Sequence, residues 1–244
     1  MAMNIFSALR GVGGTKRRKW ESAVNDYQQE LAKVYEKWSK AMASELGDAE
    51  TEEDYDDALA AGLLLLSAQL VDLGRKNIPT GGLTALGKTS PTPQFLDDLS
   101  DRVEANTDYI ERGLIPALRD RALLARLDPD IIATGAVAYL GMLAAFDGRV
   151  ESYAGGMWTA MQEAQGTTAQ EAEARVAWQR DEQAKHCDDC LEFGEDEFPG
   201  RIYESWDDMM GTTFDRLPGE VECSANCRCS LWVEIDGEWT REGY

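Results

Sequence analysis

Between residues 16 and 46, apolar side chains recur at steps of three and four: Trp20, Val24, Tyr27, Leu31, Val34, Trp38 and Ala41. Steps of that size put them on one stripe of a helix, and Gly47 marks its stop. The acidic stretch 48–57 suits the start of a second helix, expected over 52–76 and apolar through Leu63, Leu64, Leu65, Leu66, Leu70, Val71 and Leu73. Residues 77–93, rich in Pro, Gly, Ser and Thr, are expected to form a loop. A third helical stretch over 94–127 carries the stripe Phe95, Leu99, Val103, Tyr109, Ile110 and Leu114, with a kink expected at Pro116. Asp128 and Pro129 fit the cap and first turn of the next helix. That helix is expected to run through 131–146 and 149–165. Gly166 should end it, and Thr167 or Thr168 should cap a last helix over 169–185.

After Cys190 the pattern changes. Gly194, Pro199, Gly200, Gly211, Pro218 and Gly219 punctuate a segment that closes on Ser230 to Ile235, an Asp236-Gly237 pair, and Glu238 to Arg241. Alternation around Asp-Gly predicts a β-hairpin. The fold class expected is therefore mainly α: a helical domain over 1–185, then a small α+β module over 186–244 ending in a hairpin.

Composition narrows the partners. The 244-residue chain has 24 basic and 45 acidic residues, a net charge of −21. Such a surface repels phosphate backbones, which argues against sequence-specific nucleic-acid binding. The cluster Lys16, Arg17, Arg18 and Lys19 is the cationic exception, suited to a helix start or to contact with an acidic partner or DNA. Gly14-Thr15-Lys16 lacks the spacing of a phosphate loop. The uncharged runs 58–71 and 131–146 fall short of a membrane span and read as buried core helices. No signal-peptide pattern opens the chain, so a reducing cytosol and no membrane partner are expected.

The chemistry concentrates at one place. All five cysteines and the sole histidine lie between His186 and Cys229. Cys187 and Cys190 form a Cys-x2-Cys pair; after a 32-residue loop come Cys223, Cys227 and Cys229. A Cys-x2-Cys turn joined by a distant second pair is the arrangement of a tetrahedral Zn²⁺ site. Cys187, Cys190, Cys227 and Cys229 are the favoured ligands, with Cys223 and His186 as alternates. Lys185 and Arg228 are placed to offset the charge of four thiolates. A saturated thiolate shell leaves no position for water, which makes the metal structural. A module of about 60 residues with few apolar positions gains most from such a staple.

The order of helical bundle, Cys187-x2-Cys190, Leu217-Pro218-Gly219 and then Asn226-Cys227-Arg228-Cys229 before a strand resembles the phage Mu protein F-like head-morphogenesis family. The likeness in motif covers about the last 60 residues; the helical part matches in order and type, with Tyr153-Ala154-Gly155-Gly156 ahead of the last helices. It departs where many members carry His-Pro before Asn-Cys, since Ser224 and Ala225 stand there. The resemblance implies a minor capsid protein at or near the portal vertex, assembled in the host cytoplasm and retained in the virion. Its partners would be the portal or major capsid protein, and it would be no enzyme. No toxin or transferase domain is expected after the Cys-Arg-Cys end.

Two rival classes stand beside this. A cytosolic zinc-ribbon-like adaptor fits the same composition. A cysteine-dependent enzyme would use Cys187 with His186, but no third orienting group accompanies them. The aromatic stripe of the first helix, with Trp20, Tyr27 and Trp38, is either a core face or the docking element for a head protein.

Overall fold

A computed structural model describes residues 17–87, 89–180, 187–218 and 229–240. The mainly α class with a C-terminal hairpin holds. Long helices α1 (Arg17–Asp48), α2 (Glu52–Leu86) and α3 (Pro93–Asp108) lead through a π-helical segment, Tyr109–Leu114, into α4 (Ile115–Ala125). Short helices α5 (Pro129–Thr134), α6 (Ala136–Ala144) and α7 (Asp147–Glu151) precede α8 (Gly155–Glu171). The remainder mixes β1 (Val176–Gln179), α9 (Asp188–Phe193), β2 (Arg201–Tyr203), α10 (Trp206–Thr213), β3 (Ser230–Ile235) and β4 (Glu238–Thr240).

The chain divides into two compact units. One comprises Asp26–Lys76 and Glu104–Tyr153; the other holds the described parts of Met1–Asn25, Asn77–Val103 and Ala154–Tyr244.

In the first unit, α1 turns Tyr27, Leu31, Tyr35, Trp38, Met42 and Leu46 inward, so its stripe is core and not an open docking face. Tyr35 and Met42 take the places that the sequence pattern gave to Val34, half-buried, and Ala41, exposed. Three aromatic residues of this core have their polar tips satisfied inside. Trp38 Nε1 donates to the Gly62 carbonyl at 2.7 Å, Tyr35 to Leu143 O at 2.8 Å, and Tyr55 to Ala122 O at 2.7 Å. The side chain of Trp20 and the whole of Lys16 lie outside the described residues, as do the side chains of Arg17, Arg18 and Lys19.

The uncharged runs are not buried throughout. In α2 the buried residues Leu59, Leu63, Leu66 and Leu70 form one face, while Leu64 and Leu65 are 74% and 56% exposed. In 131–146, Tyr139, Met142 and Leu143 are buried but Ile132 and Val137 face solvent. Among the described residues, α2 is the helix long and apolar enough to cross a membrane by length and composition.

Four local expectations are corrected. Residues 77–86 are helical rather than a loop, despite Pro79, because Ile78, Ala85 and Leu86 are buried. A Cβ at Gly81 would run into Met157, and one at Gly82 into Leu99 and Phe95, so these glycines serve close helix packing. Second, the irregularity expected at Pro116 is the π segment just before it, which opens the ladder where proline lacks its N–H. The widened turn rotates Ile110 and Leu114 inward and leaves Tyr109 66% exposed, out of the stripe. Third, the helix begun by Asp128 and Pro129 breaks at Gly135, whose φ of +62° suits glycine alone. Its cap is as expected: Asp128 Oδ1 accepts from Asp130 N at 3.0 Å.

The fourth correction shapes the second unit. Gly166 does not end α8 but lies within it, where the Trp206 ring covers it too closely for a side chain. Instead of a helix over 169–185, residues 176–179 form β1, with Val176, Ala177 and Trp178 fully buried. The sheet is antiparallel in the order β2-β1-β3-β4. Val176 faces Tyr203 on one side and Val233 on the other, so β1 is central although it precedes the cysteines. The hairpin turns at Asp236 and Gly237, φ 51° and 82°, the left-handed pair a tight I′ turn requires. Helix α8 packs on β3, buried nearly all round from Met157 to Ala169.

Candidate metal centre

Two features of the local sequence place the first cysteine pair. Cys187 is extended, with φ −81° and ψ 170°, and its carbonyl accepts from Leu191 N at 3.1 Å, so it sits at the head of α9. Asp188 and Asp189 fill the first turn, where carboxylates complement the helix dipole. One turn on, Cys190 points into the sheet's core, 1% exposed. Gly194 N closes the helix on Cys190 O at 3.2 Å. A Cβ on Gly194 would press on the Trp178 ring, so the chain leaves α9 directly beneath β1.

Cys229 arrives from the other direction, as the residue before β3. It is fully buried, and its Sγ stands 3.3 Å from Sγ of Cys190. That is well beyond the S–S bond of about 2.05 Å. It is a few tenths of an ångström short of the roughly 3.8 Å edge that two 2.3 Å Zn–S bonds at a tetrahedral angle would span. Both thiols belong to the cluster of Val176, Trp178, Phe193, Tyr203, Met209, Leu217, Leu231 and Val233, and half-buried Cys187 packs against the same cluster.

Cys223, Cys227, His186, Lys185 and Arg228 lie outside the described residues. Among the described ones, no group of three His, Cys, Asp or Glu side chains converges as a metal would require. What the fold brings together is the pair Cys190 and Cys229, with Cys187 one helical turn away.

The surroundings contain residues that sequence spacing did not mark. Arg216 Nη1 contacts Asp189 Oδ2 at 2.7 Å, and its guanidinium lies 5.4 Å from the Phe193 ring centre, tying α9 to the chain after α10. It is a described cation beside the cysteine-bearing helix, the role assigned from sequence to Lys185 and Arg228. Tyr203 donates to Phe193 O at 2.7 Å. Burial, the largest influence, raises its phenol above the ordinary value. Gly200, at φ +105°, passes so close to the Trp178 carbonyl that no side chain fits. None of these carries a local signature; an arginine, a tyrosine and a glycine acquire their roles from tertiary placement.

Chemically, two buried soft donors with a third nearby suit a thiophilic cation held for structure. The described thiols supply part of a tetrahedral thiolate shell and do not complete it. No family model, curated protein or solved structure matches this chain.

Proposed function

We propose that this protein is a minor structural component of a tailed-phage head, of the phage Mu protein F-like type. One structural Zn²⁺ closes its C-terminal sheet module. Cys187, Cys190, Cys227 and Cys229 hold the ion, with Cys223 or His186 as substitutes. The observation that carries the metal reading is the approach of Cys190 to Cys229 at 3.3 Å across 39 residues of chain. The capsid reading rests on the Asn-Cys-Arg-Cys end and its coupling to Cys-x2-Cys after a helical domain.

The metal does no chemistry on a substrate. It ties α9 to the start of β3, and the long segment between them is closed without needing a larger core. A net charge of −21 leaves contacts with portal or major capsid protein as the means of attachment, not the packaged DNA.

Elemental analysis of freshly reduced protein should find about one zinc per chain, as expected for a four-ligand site. Cys190→Ser and Cys229→Ser should lose it along with the near-ultraviolet signal of Trp178. Metal-free protein with an intact sheet would sink the metal reading. The capsid reading is tested separately, by asking whether the protein co-purifies with portal-containing proheads. Zinc-loaded protein that never enters them would favour the adaptor alternative.

A further inference from the structure

The seam of α1 is consumed in the core of its unit, yet that unit still presents an apolar stripe to solvent, on the outer face of α2. Its inner face carries Leu59, Leu63, Leu66 and Leu70. On the outer face, Asp57, Ala61, Leu64, Ala68 and Arg75 are all exposed, and Leu65 flanks them. The steps from Asp57 to Ala68 are four, three and four, followed by seven to Arg75. From Asp57 to Ala68 this is the spacing of a coiled-coil seam. The next seam position, Val71, is 5% exposed and belongs to the inner face, so the apolar contact is confined to the middle of the helix. Alanines in such a seam let a second helix approach closely, and leucines supply the area.

We propose that this stripe is the interface of a homodimer, in which α2 packs antiparallel against α2 of a second copy. The charges at its two ends select that occupant. A two-fold axis passing beside Ser67 and Leu65, midway between Leu64 and Ala68, sets Leu64 on Ala68 of the second copy, and the reverse. The same axis sets Asp57 opposite Arg75 at one end and Arg75 opposite Asp57 at the other, because each lies seven residues outside the central pair. The stripe is therefore complementary to itself in an antiparallel sense and mismatched in a parallel one. Asp57 and Arg75 are about 27 Å apart along the helix, long enough for two clamped ends with an apolar middle. Asp72 falls opposite Ala60 at the rim, where it stays hydrated. A lipid surface fits less well, since Asp57 and Arg75 lie in the stripe itself and would have to enter the hydrocarbon. The pairing is independent of the cysteine module and of any role in a phage head.

Sedimentation velocity on the full chain, over micromolar concentrations at physiological salt, reads the equilibrium directly. Wild type should associate to a dimer. Leu64→Glu should weaken association by about tenfold or more with unchanged helical circular dichroism. Asp57→Arg should also weaken it, because like charges then meet at both ends. Asp57→Arg combined with Arg75→Asp should restore it, and that rescue is the outcome a merely sticky patch cannot give. A monomeric wild type overturns the proposal, as does a dimer indifferent to Leu64→Glu or a double variant no better than the single one. Co-flotation of a monomeric wild type with phosphatidylcholine–phosphatidylglycerol vesicles, lost in Leu64→Glu, would assign the stripe to a membrane instead.

Discussion

The side-chain oxygen of Gln162 accepts the backbone N–H of Leu231 at 3.0 Å, and both residues are fully buried. Described β4 reaches Thr240, opposite Val233, so Leu231 lies past that ladder. A glutamine of α8 thus takes the place of a neighbouring strand and fixes the helix on the sheet. Gln162→Leu keeps most of the volume but strands a buried N–H, which costs about 1–3 kcal/mol. Urea unfolding followed by tryptophan fluorescence should show a lower midpoint. An unchanged midpoint would mean that the bond contributes nothing net.

The glycines of α8 and α6 should respond in opposite ways to the same substitution. Gly166 is covered by the Trp206 ring, which cannot retreat as a flexible chain would. Gly166→Ala should therefore destabilise by about 1–3 kcal/mol through overpacking. Gly141 has open space where its Cβ would stand and ordinary helical backbone. Gly141→Ala should stabilise by roughly 0.5–1 kcal/mol, from helix propensity alone. Thermal melts of the two variants side by side test the assignment. Equal shifts would contradict it.

What could be read in the sequence follows the range of the interaction. The Asp236-Gly237 turn and the Asp128-Pro129 cap were legible because a few adjacent residues determine them. Cys190 and Cys229, two of the four cysteines that spacing singled out, lie 3.3 Å apart across the long loop. Strand β1 was not: four residues without alternation become a central strand through pairing with Tyr203 and Val233, far along the chain. Pro79, Gly81 and Gly82 gave loop signals locally, yet the helix persists because close packing against Met157 and Leu99 needs those glycines. Gln162 and Arg216 left no trace at all, since nothing in their neighbours distinguishes them from surface residues.

Alkaline pH should unfold the protein through its buried tyrosines. Tyr27, Tyr35, Tyr55, Tyr153 and Tyr203 all have phenols raised above the ordinary value, with burial the leading cause in each. A raised folded pKa means that the native state holds the proton more tightly than the unfolded chain. This contribution is complete below the unfolded value near pH 10 and is lost as pH rises past it. Each such tyrosine adds up to about 1.4 kcal/mol of lost stability per pH unit above that point. Urea midpoints should be flat up to about pH 9 and fall steeply by about pH 11. Tyr35→Phe should reduce the slope. A midpoint independent of pH across that interval would show that the phenols ionise without unfolding.

The first helix provides the sharpest test of what its aromatic stripe is for. Trp38 is buried against Tyr35, ring centres 5.4 Å apart, and its indole N–H is held by the Gly62 carbonyl. A Cβ on Gly62 would meet the Met42 thioether, so α1 and α2 are in close contact along this line. Trp38→Ala removes the ring, opens a cavity and loses the indole bond to the Gly62 carbonyl. The expected loss is about 3–5 kcal/mol, a large share of the stability of an ordinary domain. Deleting residues 1–46 takes Tyr27, Leu31, Tyr35, Trp38, Met42 and Leu46 out of the core together. The truncated chain should aggregate or lose helix cooperatively, whatever it binds. Had the stripe been a docking surface, the same deletion would leave a soluble, helical protein defective only in association. Circular dichroism and a thermal melt on that one truncation separate the two, and a cooperative melt close to that of the full chain would remove α1 from the core.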